Sequence, residues 1–265
     1  MKNISNKQWA VTAILVFVLV VALASCGAKG KQMPGDAVSN GEAYALYKSA
    51  VEALNQSGGY EADMVVTLRP ADGGLAANAD TKSHIKVNAP RGDVEMKRTQ
   101  TVNAYGVKTE STLYIKDGAL YTDAHGQKAK LAIDRNALAS RANSIVDFPK
   151  GAIEYESMLD VYGGKQVFFT MKGSAVADYV RNQLNGLEHN GSATNADSSF
   201  KEGRITAIIN PEGNLTECTM EVSFNMRMGE SKAAVVQKSV VSNIKPGKTE
   251  IDFPADLGSY KEFDI

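Results

Sequence analysis

The feature that most constrains this chain is a long two-residue alternation near its C-terminal end. Between Leu215 and Met228, Thr216, Cys218, Met220, Val222, Phe224, Met226 and Met228 take one side, while Glu217, Thr219, Glu221, Ser223, Asn225 and Arg227 take the other. Successive side chains of a strand point to opposite faces. This stretch is therefore a strand with one oily face and one wet face, the signature of an antiparallel sheet.

The same signature recurs upstream. Tyr60, Ala62, Met64, Val66 and Leu68 alternate with Glu61, Asp63, Val65, Thr67 and Arg69. Strand-like runs follow a polar loop at Pro70–Ser83 and cover His84–Ala89, Asp93–Thr99, Val102–Glu110 and Ser111–Lys116. Asp117-Gly118 is a two-residue hairpin signal leading into Ala119–Thr122, and His125-Gly126 marks another turn. Ile153–Val161 and Lys165–Lys172 form a hairpin around Gly163-Gly164, and Arg204–Asn210 turns through Pro211-Glu212-Gly213-Asn214 into the long strand. Lys232–Ile244 pairs back on it.

Two segments carry helical spacing instead. In Ser39–Ser57, Ala43, Tyr44, Leu46, Tyr47, Ala50, Val51 and Leu54 share a face, Ser39 and Glu42 fit a capping box, and Gly58-Gly59 stops the run. In Ser174–His189, Val176, Tyr179, Val180, Leu184 and Leu187 share a face, and Asp134–Ile145 has the length of a shorter helix. About ten strands at about 4.8 Å spacing make a sheet roughly 48 Å wide, whereas one helix covers about 10 Å. Two helices leave apolar strand surface to be hidden in some other way. The expected fold is α+β: a strongly curved antiparallel sheet, a half-barrel of about ten strands, with two main helices packed in its concave face.

The first 25 residues read as a separate element. Lys2 and Lys7 give a basic start, Ala10–Ala24 is apolar apart from Thr12, and small residues precede Cys26. That is the order of a secretory signal, and the apolar run is shorter than the roughly 20 residues of a spanning helix. Leu23-Ala24-Ser25-Cys26 resembles a bacterial lipobox. The resemblance implies thioether attachment of diacylglycerol to the Cys26 sulfur and cleavage before that residue, so that acyl chains such as palmitate tie the chain to the cell membrane on its extracytoplasmic side. Residues 1–25 are then a lipoprotein signal peptide and residues 26–40, rich in Gly and small polar residues, a flexible tether reaching roughly 20 Å. Residues 41–265 are expected to form a single domain.

Composition excludes several functions. Net charge is −1, and loss of the two leader lysines takes it to −3, which argues against a nucleic-acid partner. Cys218 is the only cysteine besides Cys26, so no ordinary internal disulfide forms, and its register with Met220 and Val222 assigns it to the core. His84, His125 and His189 have no partner at metal-ligand spacing. Ser83 and Lys86 match a Ser-x-x-Lys pattern but fall on opposite faces of a strand. No catalytic residue, cofactor or metal ligand is assigned. The candidate ligand-binding residues are Tyr60, Met64, Val66 and Leu68 with Met220, Phe224, Met226 and Met228, since methionine adapts to irregular apolar shapes. The ordinary alternative is that these side chains fill a sheet core.

An early helix, a long antiparallel meander, a mid-chain helix and a return to strands is similar to the LolA/LolB-type lipoprotein-localisation superfamily and related LppX/LprG-like lipoproteins. The stretches carrying the resemblance are Tyr44–Leu54, Tyr60–Leu68, Ser111–Gly118, Ile208–Gly213 and Ile251–Pro254. It implies an open half-barrel that binds acyl chains or another hydrophobic partner. The expected function is a membrane-anchored extracytoplasmic lipoprotein that binds a lipid or other hydrophobic ligand and is not an enzyme. The alternative is a structural, sensor or interaction module with an envelope protein as partner.

Overall fold

The computed structural model describes residues 41–71, 79–89, 93–104, 106–132, 147–175, 200–228 and 231–262. Cys26, the leader and the tether lie outside them, as do the short helix expected at 134–145 and most of the helix expected at 174–189, of which only residues 173–175 are described, as helix. Among the described residues, α1 spans Glu42–Gln56 and is followed by β1 Gly59–Pro70, β2 Ala79–Asn88, β3 Glu95–Ala104, β4 Val107–Lys116, β5 Ala119–Ala124 and β6 Gln127–Ala132. Then come β7 Ile153–Val161, β8 Gly164–Met171, β9 Phe200–Ile209, β10 Leu215–Met228, β11 Ser231–Pro246 and the two-residue β12 Lys261–Glu262.

All twelve strands belong to one sheet, in the order β12-β6-β5-β4-β3-β2-β1-β11-β10-β9-β8-β7. Neighbours are antiparallel except β12, which runs parallel to β6. The α+β class stands, but the half-barrel does not. The sheet is open and not strongly curved, with β7 and β12 at opposite edges. Bulges are what bend a sheet sharply. The register shifts lie in the pairings β1–β11, β9–β10 and β7–β8, whereas β2 through β6 pair residue for residue. Closure also needs the two edges to meet, and here they do not.

The strand boundaries correct the sequence reading in several places. β2 starts at Ala79, inside the expected polar loop, and β3 runs unbroken through Gln100, where the alternation suggested a gap. In both, small or polar residues (Thr81, Ser83, Arg98 and Gln100) hold inward positions and so hide the apolar period. The run expected at Val102–Glu110 is instead divided: β3 ends at Ala104, Gly106 turns with φ of 80°, and Val107–Lys116 is one strand. The hairpins were legible. Asp117 and Gly118 have φ of 50° and 74°, the pair of positive values that a type I′ turn requires.

α1 lies over β1 and β7–β10. Ala43, Tyr47, Ala50, Val51 and Leu54 are its buried face. The Tyr47 ring stacks on Phe148 at 5.3 Å and meets the edge of Phe169 at 5.5 Å, and its hydroxyl lies 3.8 Å from Cys218 Sγ. Cys218 is thus a buried core residue. The expected capping box is not what starts the helix. Gly41 is the N-cap and gives no side-chain bond. Glu156, buried on β7, accepts from the Tyr44 backbone N–H at 3.0 Å instead. A carboxylate from a distant strand therefore occupies the positive end of the helix dipole.

Candidate functional site

The sheet face turned toward α1 is the inner face. Register decides which side chains share it. β11 separates β1 from β10: Met64 stands opposite Val241 and Val241 opposite Cys218, while Val66 stands opposite Ser239 and Ser239 opposite Met220. Two sequence-predicted groups, far apart in the chain, are therefore brought onto one face a single strand apart. Tyr60, Met64, Val66 and Met220 are buried there, and Leu68 and Phe224 are half-buried. Met226 and Met228 continue β10 opposite Ala233 and Ser231.

The inner face of β1–β6 is graded along the strands. One row across it is wholly apolar: Tyr60, Val87, Met96, Ile115, Leu120 and Leu131 stand successively opposite one another. The next row, roughly 6.6 Å further along, contains Ile85, Arg98 and Leu113. Beyond it Met64, Ser83, Gln100 and Ser111 stand side by side.

Arg98 is the anomaly in this gradient. It is only 3% exposed. Its Nε donates to Ser83 Oγ at 3.1 Å, and its Nη2 is buried with no hydrogen-bond partner. Gln100 Nε2 donates to Ser111 Oγ at 3.1 Å, leaving the Gln100 Oε1 without a donor. Thr81 Oγ1, on β2 one row beyond Ser83 and opposite Val102, is also buried and unpaired. Desolvation pushes the Arg98 pKa down to about 10, with Tyr60 acting in the opposite direction, so the group is still a cation at neutral pH. No carboxylate among the described residues forms an ion pair with it. Burying an unpaired charge costs several kcal/mol, on the order of the whole stability of a domain. A feature that costly calls for a compensating partner.

Sequence reasoning missed this cluster because arginine and glutamine read as solvent-facing. The signal that finds it is phase: in Met96-x-Arg98-x-Gln100-x-Val102, the polar pair keeps step with Met96 and Val102, both buried.

The outer face carries a different feature, a broad depression of about 850 Å³. His84 and His125, read as unrelated in sequence, both line it together with Asp63, Glu110 and Asp123. His84 Nδ1 lies 2.9 Å from Asp63 Oδ1, and Asn243 Nδ2 donates to Asp63 Oδ2 at 2.8 Å. Those two hydrogen bonds, His84 foremost, hold the Asp63 carboxyl below its ordinary value. Lys245 does the same for Glu61 through a 3.1 Å bond. Among the described residues no three His, Cys, Asp or Glu side chains are placed to hold a metal ion. Ser83 and Lys86 do face opposite ways, Ser83 inward against Arg98 and Lys86 outward to the Glu250 carbonyl at 3.2 Å.

No family model matches the chain, and no curated protein does. Among solved structures the chain is similar to a LolA superfamily protein from Nitrosomonas europaea, with 9% identity, 81% of this chain and 96% of that chain covered, and a TM-score of 0.32. It is also similar to a putative outer membrane lipoprotein-sorting protein domain from Vibrio parahaemolyticus, at 10% identity, 82% and 98% coverage and a TM-score of 0.25. A DUF1329 family protein from Desulfovibrio piger is similar at 9% identity, 80% and 95% coverage and a TM-score of 0.24. Likeness at this level of overlap leaves function to be read from the chain's own residues.

Proposed function

We propose that this chain is a membrane-anchored extracytoplasmic lipoprotein that holds a lipid or other hydrophobic ligand against the inner face of its sheet and catalyses no reaction. The observation that carries the reading is the gathering of Met64, Val66, Met220 and Phe224 onto one face through β11. Twelve strands at about 4.8 Å spacing span roughly 58 Å, while α1, about 10 Å across, lies over β1 and β7–β10. Met64, Val66 and Met220 are themselves buried in the core cluster, and a methionine-rich core of this kind can repack around a pliable apolar ligand. Anchoring rests on Leu23-Ala24-Ser25-Cys26 and its resemblance to a lipobox. Cys218, the other thiol, is buried beside Tyr47 and gives no support to an exposed nucleophile.

The test has two arms. Native mass spectrometry of the full chain, extracted from bacterial membranes in mild detergent, is expected to show bound lipid; a protein that is always free of adducts removes the ligand reading. Cys26→Ser is expected to move the chain out of the membrane fraction and to abolish incorporation of labelled palmitate. Retention of the variant in the membrane overturns lipid anchoring.

A second reading, an envelope interaction or sensor module, draws on the broad depression of the outer face. Cross-linking from a photoreactive residue at Thr99 or Thr112, which line it, is the measurement that favours this reading over the first.

A further inference from the structure

The Arg98 cluster goes beyond hydrophobic binding, because an apolar ligand gives a buried guanidinium nothing to pair with. We propose that Arg98 is an anion-binding residue of the inner face and that the ligand is an amphiphile with an acidic head, a carboxylate or a phosphate, joined to an apolar tail. This deepens the function proposed above and rests on it.

Two observations converge. Arg98 Nη2 is buried and unpaired, with Ser83 Oγ already holding its Nε in place. The guanidinium offers several hydrogen-bond donors in one plane, and an oxyanion is the group that takes several donors at once. The second is continuity with apolar surface. Met64 and Val66 stand opposite Ser83 and Thr81, and the wholly apolar row from Val87 to Leu131 begins on the other side of Arg98. The head therefore has a charged contact with oily surface on both flanks. Among the described residues no carboxylate forms an ion pair with Arg98, and a foreign one would supply the missing counter-charge.

The experiment uses immobilised full chain, washed free of detergent, at pH 8. Binding of radiolabelled oleate, oleyl phosphate and oleyl alcohol is compared; the three share one tail and differ in the head. Charge-assisted hydrogen bonds separate the acids from the alcohol by about tenfold or more. Oleate and oleyl phosphate are expected to bind at least that much more tightly. Arg98→Met is expected to bring them to parity with the alcohol, whose own affinity does not change, and Arg98→Lys is expected to keep part of the preference. The parent chain alone decides the point if a variant fails to fold. Equal affinity for acid and alcohol in the parent overturns the head-group assignment and leaves hydrophobic binding standing. Failure of all three probes to bind overturns both. Inorganic phosphate that displaces oleate but not the alcohol supports the shared oxyanion chemistry. Phosphate bound where no amphiphile binds makes the site one for a free anion and overturns the amphiphile.

Discussion

At the scale of single residues, the chain spends stability at Arg98 and gains little back from its own atoms. A guanidinium held by Ser83 alone is a net cost in the ligand-free protein. Replacing a buried charge by an apolar side chain of similar length is neutral or stabilising, by up to about 3 kcal/mol. Arg98→Met is accordingly expected to raise the urea midpoint of the ligand-free chain or leave it unchanged; a loss of more than about 1 kcal/mol, beyond the usual worth of one hydrogen bond, would make Arg98 a structural residue. Asp63 shows the milder electrostatics of the outer face. Its folded pKa is depressed, chiefly by His84. The associated stability is therefore present above the unfolded value near 4 and is lost as pH falls through the lower folded value. Asp63 is about half exposed, at 46%, so solvent screening limits the effect to about 0.5 kcal/mol. His84→Ala is expected to move the Asp63 titration upward in a carbon-detected carboxyl NMR experiment, and an unmoved midpoint would show that Asn243 alone sets it.

At the scale of elements, α1 is fixed at two points of different chemistry. Glu156 receives its N-terminus, and Tyr47 inserts among Phe148, Phe169 and Cys218. The aromatic contact carries most of the energy, because Tyr47 is 1% exposed and truncating a buried aromatic costs about 3–5 kcal/mol. Tyr47→Ala is expected to lower stability by that amount in urea unfolding. Tyr47→Phe is expected to cost under about 1 kcal/mol, since only a weak O–H···S contact is lost. Equal losses in the two variants would place the energy in the hydroxyl. The strands divide in the same way between legible and hidden. β10 and β1 read directly from alternation, whereas β2 and β3 do not, because their inward positions include Thr81, Ser83, Arg98 and Gln100. Local pattern fails where buried polarity departs from the fold's own rule, and such departures cluster at functional sites.

At the scale of the whole molecule, the chain is a single open sheet with α1 on the half built from β1 and β7–β10. Strands β1, β11 and β10 sit in its middle, paired on both sides over long stretches. Among the described residues, β7 and β12 each have one edge without a strand partner. Opening an edge breaks fewer hydrogen bonds and exposes less core, so local stability falls toward the margins. Hydrogen exchange by mass spectrometry is expected to show the slowest amides in Met64–Thr67 and Thr219–Val222 and the fastest strand amides in β7 and β12. Uniform protection across the sheet would contradict this order.

The sequence by itself determined that β1, β8, β10 and β11 are strands, that Asp117-Gly118, His125-Gly126 and Gly163-Gly164 are turns, that Cys218 belongs to the core and which face of α1 is buried. These follow from periodicity and turn chemistry, which act over a few residues. Tertiary structure decided three things that no local pattern holds. The sheet stays open, because its two end strands, β7 and β12, do not pair with one another. His84 and His125 line one depression of the outer face, because pairing through β2–β5 carries them there. Arg98 is buried with no counter-charge among the described residues, because pairing puts it between Ile85 and Leu113. Burial and charge compensation depend on which strands become neighbours, and that is set by pairing across the whole chain.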